Sequence, residues 1–313
     1  MADTIEGYLA DLRSALAGSD PALVQDALYD AEEYLRSAVA ESGDSADAAL
    51  AAIEAYGAPE EVAAAYRDAE ITVAAALRSP APRPASGNPF ARFFGVIVDP
   101  RAWGSLFYLL LSLATGVLYF TLVVTGVSVT LGTLVLIVGL PIALVVLAVV
   151  RAVSLAEGRL VEGMLGTRMP RRPRTAGVQG NLLERIKGWL TDWRTWTTML
   201  YMLLQLPLGT MYFSLVVTGV AVSAAFVGWP IASLLLDMPF MQTPDYAYYV
   251  EPWGAPFLVI LGLFGFVVTL WVSKGIGVLH AAYAKIMLVG RVEGVSPAPA
   301  VYAPVSGAEG GEL

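Results

Sequence analysis

The chain has no cysteine and a single histidine, His280. Disulfides, thiolate ligands and cysteine nucleophiles are therefore excluded, and one imidazole without thiols is a poor start for a metal site. No phosphate-binding loop, dinucleotide fingerprint, HExxH pair or nucleophile elbow occurs, so neither catalysis nor a cofactor nor a bound metal is expected. The first residues, Met1 to Glu6, have neither the basic stretch nor the apolar core of a signal peptide, and the N-terminal part is expected to stay where it is made.

Charge is scarce and unevenly spread. Residues 1–77 hold sixteen Asp and Glu against Arg13, Arg36 and Arg67, a net of −13, and the remainder nets +5, which together give the −8 of the whole chain. So acidic a segment is repelled by nucleic-acid phosphate and anionic lipid, which leaves basic protein surfaces as its partners. The chain as a whole is 57% hydrophobic, and the excess lies beyond about residue 100. That half belongs in a membrane.

Its organising feature is a duplication. Asp99 to Val129 and Asp192 to Val222 match at 17 of 31 positions with a constant offset of 93. Asp99, Arg101, Trp103, Tyr108, Gly116 and Tyr119 recur as Asp192, Arg194, Trp196, Tyr201, Gly209 and Tyr212. Each copy runs into an uncharged stretch long enough to cross ~30 Å of hydrocarbon as a helix. The second helices also correspond: Gly139-Leu140-Pro141 answers Gly228-Trp229-Pro230, and Arg151, Glu157 and Met164 pair with Lys274, His280 and Met287. This alignment requires about 34 extra residues in copy two, near Ala232 to Phe266. The polar part of that insert, Asp237 to Gly254, must lie outside the hydrocarbon, where unpaired backbone can meet water. The spans are expected at about Leu106–Val127 and Leu131–Ala156 in copy one.

Residues 1–77 punctuate into four helices. Asp3 with Glu6 suggests a capping box before a face of Ile5, Tyr8, Leu9, Leu12 and Leu16. Asp20-Pro21 opens a second helix carrying Val24, Leu28, Ala31, Leu35 and Val39, which Gly43 ends. A third carries Leu50, Ile53 and Tyr56 and stops at Gly57, and Pro59 opens a fourth. The segments Tyr8-Leu9-x-x-Leu12, Leu28 to Tyr34 and Ile53-x-x-Tyr56-Gly57-Ala58-Pro59-Glu60-Glu61 resemble the HAAS-type helical signalling domain over about residues 4–68. That resemblance implies a role in passing signals to PadR-type transcription regulators, beside which the family is encoded.

Residues 78–98, with Pro80, Pro82, Pro84 and Pro89, suit an extended spacer. Residues 291–313 are expected to be disordered. Lys and Arg crowd the segment before helix one, the central loop 167–191 and the end of the last helix, and none lies between the helices of either pair. The positive-inside rule then gives four crossings, with both termini cytoplasmic. Two copies of the same sense imply a pseudo-two-fold axis along the membrane normal. The Arg-x-Trp lead, the Gly-x-Pro step, the Glu157-x-Arg159-Leu160 exit and the Arg194-x-Trp196 restart are similar to the four-helix sensor domain attached to many actinobacterial histidine kinases, over about residues 99–290.

Four constellations are candidates for function. Asp237, Phe240, Asp245, Tyr246, Tyr248, Tyr249, Glu251 and Trp253 in the outer insert could cradle a cationic or amphiphilic ligand, against a plain aromatic belt under a solvated loop. Arg101, Trp103, Arg194 and Trp196 could hold a lipid head group, against helix starts with snorkelling Arg and interfacial Trp. Arg171, Arg172 and Arg174 could dock the acidic domain or a partner through Asp30, Glu32 and Glu33, against an orienting basic loop and a solvated helix face. Glu157 and His280, near the cytoplasmic ends of their helices, are expected at the interface, where a polar group costs little, with a pH switch as the rival.

The expectation is thus an all-α protein of the bacterial cytoplasmic membrane. A four-helix signalling domain (1–77) and linker (78–98) precede membrane repeat one (99–166), a basic loop (167–191), repeat two with its insert (192–290) and a tail (291–313). Its expected role is relaying an envelope or lipid signal to a cytoplasmic, PadR-like regulator. Expected partners are that regulator, membrane lipids and further copies of the chain, not nucleic acid. A transporter or lipid-handling protein is the alternative. It would need polar groups within the membrane, where Gln205 is the one large polar side chain apparent.

Overall fold

The computed structural model describes residues 4–43, 45–77, 89–136, 138–173, 182–239, 241–249 and 251–289. Two compact units divide the chain, one containing Met1–Arg67 and the other spanning Asp68–Gly290.

Among its described residues the first unit is built of helices joined by short turns. Helix α1 (Ile5–Ala15) is capped by Thr4, whose hydroxyl accepts from the Gly7 amide at 3.1 Å; Asp3, the expected cap, lies outside the described residues. Helix α2 (Pro21–Ser42) starts under Asp20, with proline in its first turn, and ends at Gly43 in the left-handed conformation (φ 98°). Ser45 caps α3 (Ala46–Tyr56), and α4 (Pro59–Leu77) follows Gly57. The expected apolar faces form one core around Tyr8, Leu12, Leu16, Leu28 and Leu35, with Ile53 and Tyr56 packed against it. Leu50 does not join that core; it is exposed on the outer side of α3. The Tyr8 hydroxyl donates to the Gly57 carbonyl at 2.9 Å, fixing α1 to the α3–α4 turn.

The second unit contains four helices long and apolar enough to cross a membrane. A short helix α5 (Pro89–Phe94) and a 3₁₀ turn lead to α6 (Pro100–Thr133), which is paired with α7 (Gly139–Leu165). Helix α8 (Leu182–Thr191) leads in the same way to α9 (Trp193–Leu236), which is paired with α10 (Ala255–Ala284) and its closing π turn, Lys285–Val289. The spanning helices depart from the expected apolar limits: α6 runs past both of its limits and α7 past its far one, whereas α7 starts later than expected. Asp99 and Pro100 start α6 a turn and a half before Leu106, and α7 begins at Gly139 rather than near Leu131. Hydropathy marks the stretch that suits lipid, whereas caps and prolines mark where the helix starts.

The insert lengthens copy two. Pro141 sits in the first turn of α7, but its counterpart Pro230 lies inside α9, whose 44 residues would measure ~66 Å at 1.5 Å per residue. The residues between α9 and α10 form a loop with a two-stranded hairpin, β1 (Met241–Gln242) against β2 (Ala247–Tyr248), paired Met241↔Tyr248 and Gln242↔Ala247.

The copies pack as copies. Gly116 on α6 lies under the Gln205 carbonyl of α9, so close that a Cβ there would stand 2.6 Å from that oxygen; Gly209 lies under the Ser112 carbonyl in the same way. Ser112 and Gln205 are themselves repeat equivalents. Small residues allow this approach where lipid supplies no hydrophobic drive between helices. Gly126 meets Val146 within copy one as Gly219 meets Thr269 within copy two. Two ion pairs cross between copies at equivalent positions, Asp99 with Lys274 at 2.6 Å and Asp192 with Arg151 at 3.6 Å.

Candidate functional site

The outer-loop residues do not converge. Asp237 ends α9 in the left-handed region (φ 50°), and Asp245, Tyr246, Tyr248, Tyr249, Glu251 and Trp253 are all exposed. Phe240 lies outside the described residues. A cavity of about 390 Å³ at the base of the loop is apolar, lined by residues such as Pro230, Leu234, Pro252, Pro256 and Ile260, and by none of the loop candidates.

The two Asp-x-Arg-x-Trp motifs build helix starts. Asp99 accepts from the Arg101 amide at 3.0 Å and Asp192 from the Arg194 amide at 3.1 Å. The Trp103 indole donates to the Ile97 carbonyl at 2.7 Å and the Trp196 indole to that of Leu190 at 2.8 Å, tying each long helix to the segment before it. The Arg194 guanidinium donates to the Val289 carbonyl. Burial pushes the Asp99 carboxyl up, but the Lys274 ammonium, the Arg101 amide and both cationic charges outweigh it and hold the group below its ordinary value.

The acidic candidates of α2 differ from one another. Asp30 accepts from the Tyr66 hydroxyl at 2.9 Å, and Glu32 is nearly buried in an ion pair with Arg36 at 2.8 Å. Glu33 points outward. Burial, reinforced by Asp30, pushes the Tyr66 phenol up, and burial likewise raises Tyr8 to about 12. In the basic loop Arg171 pairs with Glu162 at 2.8 Å, Arg172 is exposed, and Arg174 lies outside the described residues.

The polar centre lies elsewhere, and it corrects the interfacial placement expected for Glu157 and His280. Glu157 is 0% and His280 1% exposed, both inside the helix bundle. Glu157 Oε1 accepts from Tyr108 at 2.6 Å and from Tyr201 at 2.8 Å, and Oε2 accepts from Tyr119 at 2.7 Å. His280 Nε2 lies 2.7 Å from the Tyr108 hydroxyl and 3.1 Å from that of Tyr201. Tyr212 meets the His280 ring edge-on, its centroid at 5.6 Å. All six residues are repeat pairs: Tyr108 with Tyr201, Tyr119 with Tyr212, and Glu157 with His280.

The arrangement follows from helix geometry. Tyr108 and Tyr119 are eleven residues apart, three turns at 3.6 residues per turn, and so share one face of α6, as Tyr201 and Tyr212 share one face of α9. One glycine lies between each pair, letting α6 and α9 approach closely enough for the hydroxyls of both helices to reach the same carboxylate. Burying a carboxylate costs several kcal/mol even after relaxation. Hydrogen bonds to a charged group contribute about 1.5–3 kcal/mol each, so three phenols are of the size needed to hold it. The tyrosines were not among the sequence candidates. Their three-turn spacing, repeated in both copies, was the available signal.

Among the described residues no cluster of three or more His, Asp or Glu could hold a metal ion. The centre is a continuous hydrogen-bonded line from α7 through α6 and α9 to α10, able to position hydroxyls and share protons.

Residues 108–288 match a family model described as "Putative sensor", and residues 7–65 match the HAAS model. No curated protein and no solved structure matches the chain.

Proposed function

The chain belongs to the Sensor family, whose match covers more than half of it, and from that premise we propose that it relays an envelope or lipid signal to a cytoplasmic protein. With four apolar helices and a HAAS domain, it has the make-up of a membrane-bound sensor or regulatory protein. The partner proposed is a PadR-type regulator, and the role is non-catalytic. The proposed setting is a bacterial cytoplasmic membrane, with four crossings and cytoplasmic termini. Support for that orientation is the distribution of Lys and Arg, which leaves the turns within both helix pairs without a cation.

The observation that carries this reading is the joining of a HAAS domain to a Sensor-family domain in one chain. In the mechanism proposed, a change in lipid or ligand state alters the packing of the two hairpins about the glycine contact and the Glu157 centre, and the acidic domain becomes more or less available to its partner. The test is binding of PadR-type regulators from the same genome to the full chain in lipid nanodiscs. Binding that weakens with salt and disappears on deletion of residues 1–77 is expected. Failure of every such regulator to bind the folded protein at low salt would remove this reading.

One observation favours the alternative, a small-molecule or lipid transporter: polar groups do lie inside the membrane unit, at Glu157, His280 and Gln205. Transport needs a polar path, and the two described cavities, at the loop base and between α9 and α10 beside Thr218 and Thr269, have mostly apolar walls. Substrate flux in liposomes separates the two.

A further inference from the structure

Through its short contacts, the Glu157 centre is matched in donors and acceptors in one protonation state. With Glu157 ionised and His280 neutral, carrying its hydrogen on Nε2, every donor has an acceptor. Nε2–H donates to a phenol oxygen, Tyr108 and Tyr201 donate to Oε1, and Tyr119 donates to Oε2. His280 Nδ1 then presents only a lone pair, and it has no partner. A further proton leaves one donor in surplus among these short contacts, to be taken up only by longer ones such as the 3.5 Å contact between the Tyr108 and Tyr201 hydroxyls. On the carboxyl group it displaces a phenol hydrogen from an oxygen already in use; on His280 it would sit at Nδ1, facing nothing that accepts it.

Opposing that match is the cost of keeping a net negative charge inside the bundle. The groups facing the carboxylate are Tyr108 and Tyr119 from α6, Tyr201 from α9 and His280 from α10; Tyr212 and Tyr283 pack on the imidazole, and Gln205 is buried one turn beyond Tyr201, beside the Tyr108 hydroxyl. Among the described residues no Lys or Arg pairs with Glu157.

We propose that Glu157, joined through Tyr108 and Tyr201 to His280, is a proton-binding site at the contact between the two hairpins. Protonation of the carboxylate unbalances the hydrogen bonds that tie α7 to α6, α9 and α10, and so loosens that contact. A ligand entering from either side of the membrane is not required. The proposal rests on the membrane unit alone, so it stands or falls independently of the cytoplasmic partner.

The single histidine makes the test direct, because imidazole labelling reports one residue. The full chain, purified without a histidine tag and labelled with ¹⁵N-histidine, is placed in lipid nanodiscs and followed across roughly pH 4–9. Its imidazole resonances are expected to show one transition, coincident with the appearance of the carbonyl stretch of a protonated carboxylic acid in the infrared. Glu157→Gln should lose both. Tyr119→Phe removes one donor from the carboxylate and keeps the line to His280, so both signals should persist with the midpoint displaced by about one pH unit or more, the equivalent of one charge-assisted hydrogen bond. Signals that stay constant while the protein remains folded overturn the proposal, as does an unaltered transition in Glu157→Gln. Should that variant fail to fold, an undisplaced midpoint in Tyr119→Phe overturns it instead.

Discussion

Replacing Gly116 by alanine adds one methyl group where the bundle has no room for it. The new Cβ would stand 2.6 Å from the Gln205 carbonyl oxygen and 2.9 Å from Leu206 Cα, against 3.4 Å for ordinary contact. Neither neighbour is the tip of a flexible side chain. Both are backbone of α9, so the helices must separate by about 0.8 Å at their closest point. Overpacking of this kind costs about 1–3 kcal/mol, and the separation also lengthens the hydrogen bonds by which Tyr201 of α9 and Tyr108 and Tyr119 of α6 hold Glu157. Gly209→Ala should behave alike, because it drives a methyl into the Ser112 carbonyl. Gly163 and Gly275 are the controls: both are helical and have nothing within 4 Å of an added Cβ, so alanine there should be neutral or stabilising by up to about 1 kcal/mol through helix propensity. The assay is thermal unfolding in one detergent, followed by tryptophan fluorescence. Loss of stability in the first pair with none in the second is expected. Equal effects in all four variants would refute the close crossing of α6 and α9.

The Asp99–Lys274 pair should make the membrane unit acid-sensitive: a carboxyl held below its ordinary value stabilises the fold above the unfolded-state value of about 4 and loses that contribution as pH falls through the folded value. Asp99→Asn should lower stability at neutral pH and flatten this part of the acid limb; an unchanged limb would count against it. In the N-terminal unit, Tyr8→Phe removes one hydrogen bond, worth about 0.5–1.5 kcal/mol, by denaturant titration of its helical signal. With Tyr8 raised to about 12, stability is complete below pH ~10 and falls as pH climbs towards 12, a loss the phenylalanine variant should show less strongly. Because the chain has no native cysteine, single cysteines at Thr175 and Tyr248 should label from opposite sides of the membrane, and labelling of both from outside would refute the proposed orientation.

Repetition carried most of what could be read from the residues alone. A constant offset of 93, with the matching of Glu157 to His280, already fixed which helices correspond, and Gly116 and Gly209 stand among the repeated positions. Depth within the bundle was not available from the same data. Distance from a helix end points Glu157 and His280 to the interface, but that linear measure says nothing about which face is packed. Burial depends on three tyrosines from two other helices. The acids of α2 teach the same limit, since Asp30, Glu32 and Glu33 look alike in sequence, and only packing against Tyr66 and Arg36 separates the first two from the third. The length of α9 escaped for a local reason: Pro230 looks like a first-turn residue because Pro141 is one, yet the insert lets the helix run on past it.

A hairpin that pairs with an identical copy of itself must present the same residue on both sides of the contact. At the position of Glu157 that would set acid against acid, and at the position of His280 base against base. Joining the two copies in one chain removes that restriction, because each can then be encoded separately. An acid bridged to a base by two equivalent phenols is an asymmetry that two identical hairpins could not hold and that the fused repeat carries on an otherwise symmetric frame.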